Sequence, residues 1–178
     1  MIRLLSIARF TLCLVLSSGV ILQGCASTGT SEADVKTGMY LDATLEFVVE
    51  YPLQWSKDRR LIFGRREGEV RWTPPDDTKT LLRIKSYVPK QQALHIEQQI
   101  DQALQEFVGL EVSTKELVTL PAGEAWHVTG HTAQVHADIY LLLRAGRCYS
   151  IDLTAPPDHV GTYKEVMDRI TLSFQIMP

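Results

Sequence analysis

Apolar and polar positions alternate in short runs over most of this chain, interrupted by two stretches of helical spacing. Thr44 to Tyr51 (TLEFVVEY) sets Leu45, Phe47 and Val49 on one face, the period of a half-buried strand, and Pro52 closes it. Leu61 to Phe63 and Glu69 to Thr73 read as short strands around the polar turn Arg65-Arg66-Glu67-Gly68. Pro74-Pro75-Asp76-Asp77 breaks the pattern. Leu81 to Val88 then alternates again, with Leu82, Ile84 and Ser86 opposite Arg83, Lys85 and Tyr87.

The period changes after Pro89. From Gln91 to Val108, Ile96, Ile100, Ala103, Leu104 and Phe107 form one apolar stripe, which predicts a helix, and Gly109 stands where a C-terminal glycine belongs. Four strands follow in the reading: Glu111 to Thr119, Glu124 to Thr132, Val135 to Arg144 and Arg147 to Thr154, the last two joined by an Ala145-Gly146 turn. Pro156-Pro157 ends the run. Asp158 is placed to cap a second helix through Arg169, with Val160, Tyr163, Val166, Met167 and Ile170 toward the core, and Ser173-Phe174 closes the chain. Hairpins with two well-separated helices predict an α+β domain with a mostly antiparallel sheet.

The first residues follow another pattern. Met1 to Arg9 carries Arg3 and Arg9 and no acid, and Phe10 to Leu22 is an almost unbroken apolar run. That run fits the core of a secretory signal and is shorter than the roughly 20 residues a membrane span needs. It ends in Leu22-Gln23-Gly24-Cys25, which resembles the lipobox of bacterial lipoproteins. The resemblance implies cleavage before Cys25 and diacylation of its sulfur. Ala26, in place of an aspartate, points to the outer membrane, facing the periplasm. Residues 26–38 are small and polar and read as a flexible tether. The expected organisation is a signal over residues 1–24, a lipidated cysteine and tether over 25–39, and one domain over 40–178.

Composition narrows the function. The chain has 178 residues, 45% hydrophobic and 22% charged, an ordinary balance for a globular protein. Removing Arg3 and Arg9 with the leader leaves 16 basic against 21 acidic residues, a net of −5, which disfavours nucleic acid as a partner. Cys13 lies in the leader and Cys25 is taken by lipid, so Cys148 alone remains and no disulfide can staple the domain.

Three groups carry candidate chemistry. His127, His131 and His136 form H-x3-H-x4-H, and a turn near Ala133-Gln134 would set His131 across from His136 and Asp138 near Thr129. Zinc and copper accept such ligands, although the spacing matches no established zinc motif; the alternative is a polar sheet face. Lys57, Arg59, Arg60, Arg65 and Arg66 flank Leu61-Ile62-Phe63 and read either as a patch for an acidic partner or lipid phosphates, or as charge protecting an edge strand. Cys148 lacks an adjacent activating signature and reads as a packed small hydrophobe. No G-x-S-x-G, H-E-x-x-H, Walker or dinucleotide motif occurs in the sequence.

Four segments together resemble the PsbP-like family. Phe47 to Trp55 carries a strand, then Tyr-Pro, two residues and Trp; Ala125-Trp126-His127-Val128 matches a middle strand; Cys148 to Ala155 matches the penultimate strand; and Ile170 to Phe174 matches the closing helix end. They span most of residues 40–176. The resemblance implies a central antiparallel sheet with helices packed on both sides, in a family of mostly binding or assembly proteins. The resulting expectation is a non-enzymatic outer-membrane lipoprotein that serves an envelope protein complex, needs no cofactor beyond its lipid, and meets the membrane through that lipid. A small-ligand or metal (zinc or copper) carrier using the histidine-rich sheet face is the first alternative and an envelope hydrolase the second.

Overall fold

The computed structural model describes residues 36–62, 64–89 and 96–178. The signal, Cys25 and most of the tether lie outside them, as do Gln91 to His95 of the first helical stretch.

The first strands form a small sheet. β1 (Thr37–Asp42) and β2 (Phe47–Pro52) pair antiparallel as a hairpin. Asp42 builds the turn: its Oδ1 accepts the N–H groups of Thr44 and Leu45, each at 3.0 Å, and Glu46 takes φ +62° to bring the chain back. β1 begins at Thr37, inside the segment read as tether.

Seven strands form the main sheet. β3 (Ser56–Leu61), β4 (Gly68–Thr73), β5 (Leu81–Tyr87), β6 (Glu111–Leu120), β7 (Gly123–His131), β8 (His136–Arg144) and β9 (Arg147–Ala155) lie in the order β3-β4-β5-β9-β8-β7-β6, every neighbour antiparallel. Ala145 and Gly146 both take positive φ, +51° and +76°, the requirement of a tight hairpin turn whose twist matches its strands. Gly68 opens β4 where a Cβ would come 2.2 Å from the carbonyl oxygen of Arg60, so only glycine lets β3 and β4 close here.

Two helices complete the domain. α1 (Ile96–Leu104) follows β5, and α2 (Val160–Ser173) follows β9. β10 (Gln175–Ile176) then pairs with β2 and completes the small sheet. His159, not Asp158, stands at the N-cap of α2, and its side chain makes no capping bond. Among the described residues no helix is long and apolar enough to cross a membrane.

Each face of the main sheet has its own core, as the period of two demands. On one face Val70, Trp72, Leu82, Ile84, Tyr149 and Ile151 pack with Phe47 and Val49 of β2 and with Met167, Ile170 and Phe174 at the end of the chain. On the other, Val128, Ile139, Leu141 and Cys148 pack with Ile100 of α1. The mostly antiparallel α+β expectation holds, with more sheet than foreseen: the three-stranded sheet shares the first face with α2.

Candidate functional site

The face under α1 combines apolar and charged residues. Along β5 the alternation turns Leu82 and Ile84 into the larger core and Arg83, Lys85 and Tyr87 toward α1. Across from them on β9, Asp152 points the same way. Arg83 Nε donates to Asp152 Oδ2 at 2.7 Å, and Ser150 Oγ donates to the same oxygen at 3.2 Å. Glu106, just beyond α1, meets Arg83 at 3.4 Å and also pairs with Lys85. Glu69 of β4 reaches Arg71 at 2.5 Å and Arg83 at 3.7 Å.

Arg83, Lys85, Tyr87, Glu106, Phe107 and Asp152, among others, border a cavity of about 10 Å³. That is roughly the room one water molecule needs, and far below the roughly 300–1,000 Å³ of pockets for drug-sized ligands. Asp152 is 2% exposed, and its Oδ1 has no hydrogen-bond partner among the described residues. Burial pushes its carboxyl up, and the Arg83 guanidinium opposes the shift. The arrangement holds charge away from water and offers one free acceptor. Cys148 lies on the same face, where burial raises its thiol and Tyr87 bonds to it. A raised thiol holds less of the reactive thiolate.

The histidines lie on the opposite face, toward the turn that joins β7 to β8. The register sets His131 against His136 and Thr129 against Asp138, as the turn at Ala133-Gln134 requires. His127 Nε2 lies 2.7 Å from Asp138 Oδ1, its Nδ1 3.3 Å from Glu116 Oε1, and its ring stacks on Tyr140 at 4.3 Å. The Asp138 bond raises the imidazole pKa above its ordinary value, outweighing burial. His131 instead reaches Ser113 at 3.4 Å and Glu111 at 3.6 Å. Four strand positions separate His127 from His131, about 13 Å at roughly 3.3 Å per residue, too far to share one ion. The four residues therefore divide into a His127–Asp138 pair and a His131–His136 pair, and no metal-sized group of three such ligands occurs among the described residues.

Each basic residue singled out near β3 has a partner. Lys57 lies 4.5 Å above the Tyr40 ring. Arg59 donates to both oxygens of Asp42, at 2.6 and 2.8 Å. Arg60 meets Asp58 at 2.7 Å, Arg65 meets Glu67 at 3.6 Å, and Arg66 meets Glu46 at 2.9 Å. Burial would raise the Asp42 carboxyl, but Arg59, the Leu45 N–H and the Tyr40 hydroxyl together hold it down at about 2.

One polar cluster carried little signal in the sequence. Asp77 Oδ2 accepts from Thr80 Oγ1 at 2.6 Å, lies 2.8 Å from His159 Nδ1 and takes the Tyr163 hydroxyl at 3.2 Å. The Thr80 bond, with His159 and two backbone N–H groups, holds this carboxyl well below its usual range despite burial. The cluster ties the start of α2 to the β4–β5 loop. Its one trace in the sequence was the Pro-Pro-Asp-Asp break.

No family model and no curated protein matches this sequence. Among solved structures, cyanobacterial PsbP from Synechocystis sp. PCC 6803 superimposes with a TM-score of 0.62 at 14% identity, over 87% of this chain and 98% of that one. The fold is PsbP-like. At this identity the likeness concerns the fold alone. LpqN, involved in cell envelope biogenesis of Mycobacterium tuberculosis, aligns with a TM-score of 0.48 at 15% identity, over 83% of this chain and 88% of that one. A protein of Bacteroides thetaiotaomicron VPI-5482 aligns with a TM-score of 0.44 at 14% identity, over 79% of this chain and 48% of that one. These two weaker likenesses add nothing to the structural argument. The PsbP-like fold gives physical meaning to the Tyr51-Pro52 element: Pro52 ends β2, Trp55 N–H returns to its carbonyl at 3.1 Å, and the indole meets Tyr163 of α2 edge-on at 5.5 Å.

Proposed function

We propose that this chain is an exported lipoprotein, anchored through Cys25 in the outer membrane and facing the periplasm, whose PsbP-like domain is a non-enzymatic accessory or assembly module for an envelope protein complex. The observation that carries the reading is the ordered leader: positive residues, a 13-residue apolar run, then Leu22-Gln23-Gly24-Cys25. The PsbP-like fold supports a binding role. Its small, charge-lined cavity fits that role better than turnover of a large substrate. The lipid supplies local concentration at the membrane, so a modest contact with a membrane-bound partner suffices. Arg60, Arg65 and Arg66 keep well over half of their side-chain surface exposed despite their ion pairs, and with Lys57 and Arg59 they offer the contact for an acidic partner surface.

In-cell crosslinking and pull-down of the lipidated chain tests this, with Cys25→Ser as the unanchored control. One dominant envelope protein, lost in the control and weakened by Arg60→Glu/Arg66→Glu, is the expected result. No protein above background would contradict it. A second reading, a zinc or copper carrier, draws support from the His127–Asp138 pair. It requires a one-to-one metal isotherm on the tag-free domain that weakens in His127→Ala and in Asp138→Asn; a flat titration would end it.

A further inference from the structure

The small sheet has one apolar face that the domain does not cover. β1 turns Tyr40 and Asp42 inward, Tyr40 lying 6.0 Å from Phe47 and 5.5 Å from Trp72. The period of two therefore sends Met39 and Leu41 outward, and they are 61% and 59% exposed. Leu41 stands opposite Val48, and Met39 opposite Glu50, on β2. Glu50 is the acid of that face, and its carboxylate accepts the Thr37 hydroxyl at 3.5 Å. On the far side of β2, Ser173 Oγ accepts the Glu50 N–H at 3.0 Å, which sets the end of α2 beside the same strand. Leu172, the residue before it, is 64% exposed.

We propose that this outer face, around Met39, Leu41 and Leu172, is the surface by which the domain lies against the lipid bilayer. The inference rests on the lipid anchor proposed at Cys25. Thr37 stands twelve residues past that cysteine. Fully extended at about 3.3–3.6 Å per residue, the intervening chain reaches at most roughly 40 Å, and β1 is the described element closest to the anchor along the chain. At that distance the bilayer is a permanent neighbour, and a few large apolar side chains make a contact too weak to act without the tether. A second copy of the chain has no such enforced proximity. The opposite edge of the main sheet, β6, exposes Val112 and Leu117 but lies far along the chain from the anchor.

The full lipidated chain in vesicles of phosphatidylethanolamine and phosphatidylglycerol provides the test. An environment-sensitive fluorophore is attached at Met39→Cys, and in a separate protein at Val112→Cys as reference, with nitroxide-bearing lipid as quencher. Both sites are exposed, and circular dichroism of each labelled protein checks the fold. Severalfold stronger quenching at residue 39 than at residue 112 is the expected result. Slower amide exchange over Thr37–Asp42 in the unlabelled lipidated chain than in Cys25→Ser with the same vesicles is expected alongside it. Vesicle flotation is measured on the same samples. A chain that floats, with equal quenching at both sites, overturns the docking face and leaves the anchor standing. A chain that does not float overturns both. Concentration-dependent crosslinking through residue 39 without lipid quenching would assign the face to a second copy instead.

Discussion

The two faces of the seven-stranded sheet solve the same burial problem by different means. One is covered by β2, α2 and Phe174 and is mainly apolar under that cover, with Phe47, Trp72, Tyr149 and Phe174 fully enclosed, although Arg147 and the His127–Asp138 pair share the face. The other is covered by the nine-residue α1, and beside its apolar cluster it holds Arg83, Lys85, Asp152 and Glu106 in ion pairs. The first derives stability from packing that needs no directional match. The second keeps Arg83 and Asp152 largely out of water, which holds only while each has its partner, so it is more specific and easier to break. Both arrangements come from one rule, alternation along β5 and β9, applied to Leu82-Arg83-Ile84-Lys85 and to Ser150-Ile151-Asp152-Leu153.

The largest expected effect is on the apolar face. Trp72→Ala removes a fully buried indole and is expected to cost about 3–5 kcal/mol in urea unfolding. On the charged face, Asp152→Leu strands the Arg83 guanidinium and is expected to cost about 3–5 kcal/mol, at the lower end because Glu106 and Glu69 remain nearby. The double change Arg83→Met/Asp152→Leu is expected to recover most of that loss. A double mutant as unstable as the single one would mean that the pair is intrinsically stabilising.

The pH dependence separates the ion pairs by sign. Asp42 and Asp77 have lowered carboxyls, so their stabilisation is complete above the ordinary carboxylate range near pH 4 and is lost as pH falls toward about 2 for Asp42. Thermal melts of Asp42→Asn and Asp77→Asn are expected to vary less with pH in that window than the parent does. His127 has a raised imidazole, so its contribution is complete below the ordinary value near 6.5 and fades as pH rises through the higher folded value. A parent protein whose melting point is flat above pH 6.5, or a His127→Gln variant with the same slope as the parent, would contradict this. The smallest effect is expected at Arg60→Ala, an exposed pair on β3, which should change stability by less than about 1 kcal/mol.

Much of this architecture was legible because burial leaves a period in the sequence. β2, β5, the β8–β9 hairpin and α2 each alternate or repeat against a core, and each lies where the pattern placed it within a few residues. β3 was misplaced toward Leu61 to Phe63 because all six of its residues are exposed and no alternation marks it. β1 was hidden because Thr37 and Gly38 continue the small polar composition of the tether, and its inward residues, Tyr40 and Asp42, come at the end. Asp158 looked like a helix cap, but the α2 start is held through His159 and Asp77, a contact between residues 82 apart in the chain. The histidine register was readable from the turn; the division into two pairs follows from strand rise. The charges under α1 were visible as the polar half of β5, and nothing local said that α1 would cover them.

The claim that governs the rest is that Cys25 becomes the lipid-bearing N-terminus. Intact-mass spectrometry of the full chain, expressed in a bacterium with an outer membrane and extracted in detergent, tests it directly. The expected species begins at Cys25, has lost residues 1–24 and carries the mass of its acyl chains. A chain that retains Met1, or one that starts at another residue without lipid, would contradict the anchored accessory module.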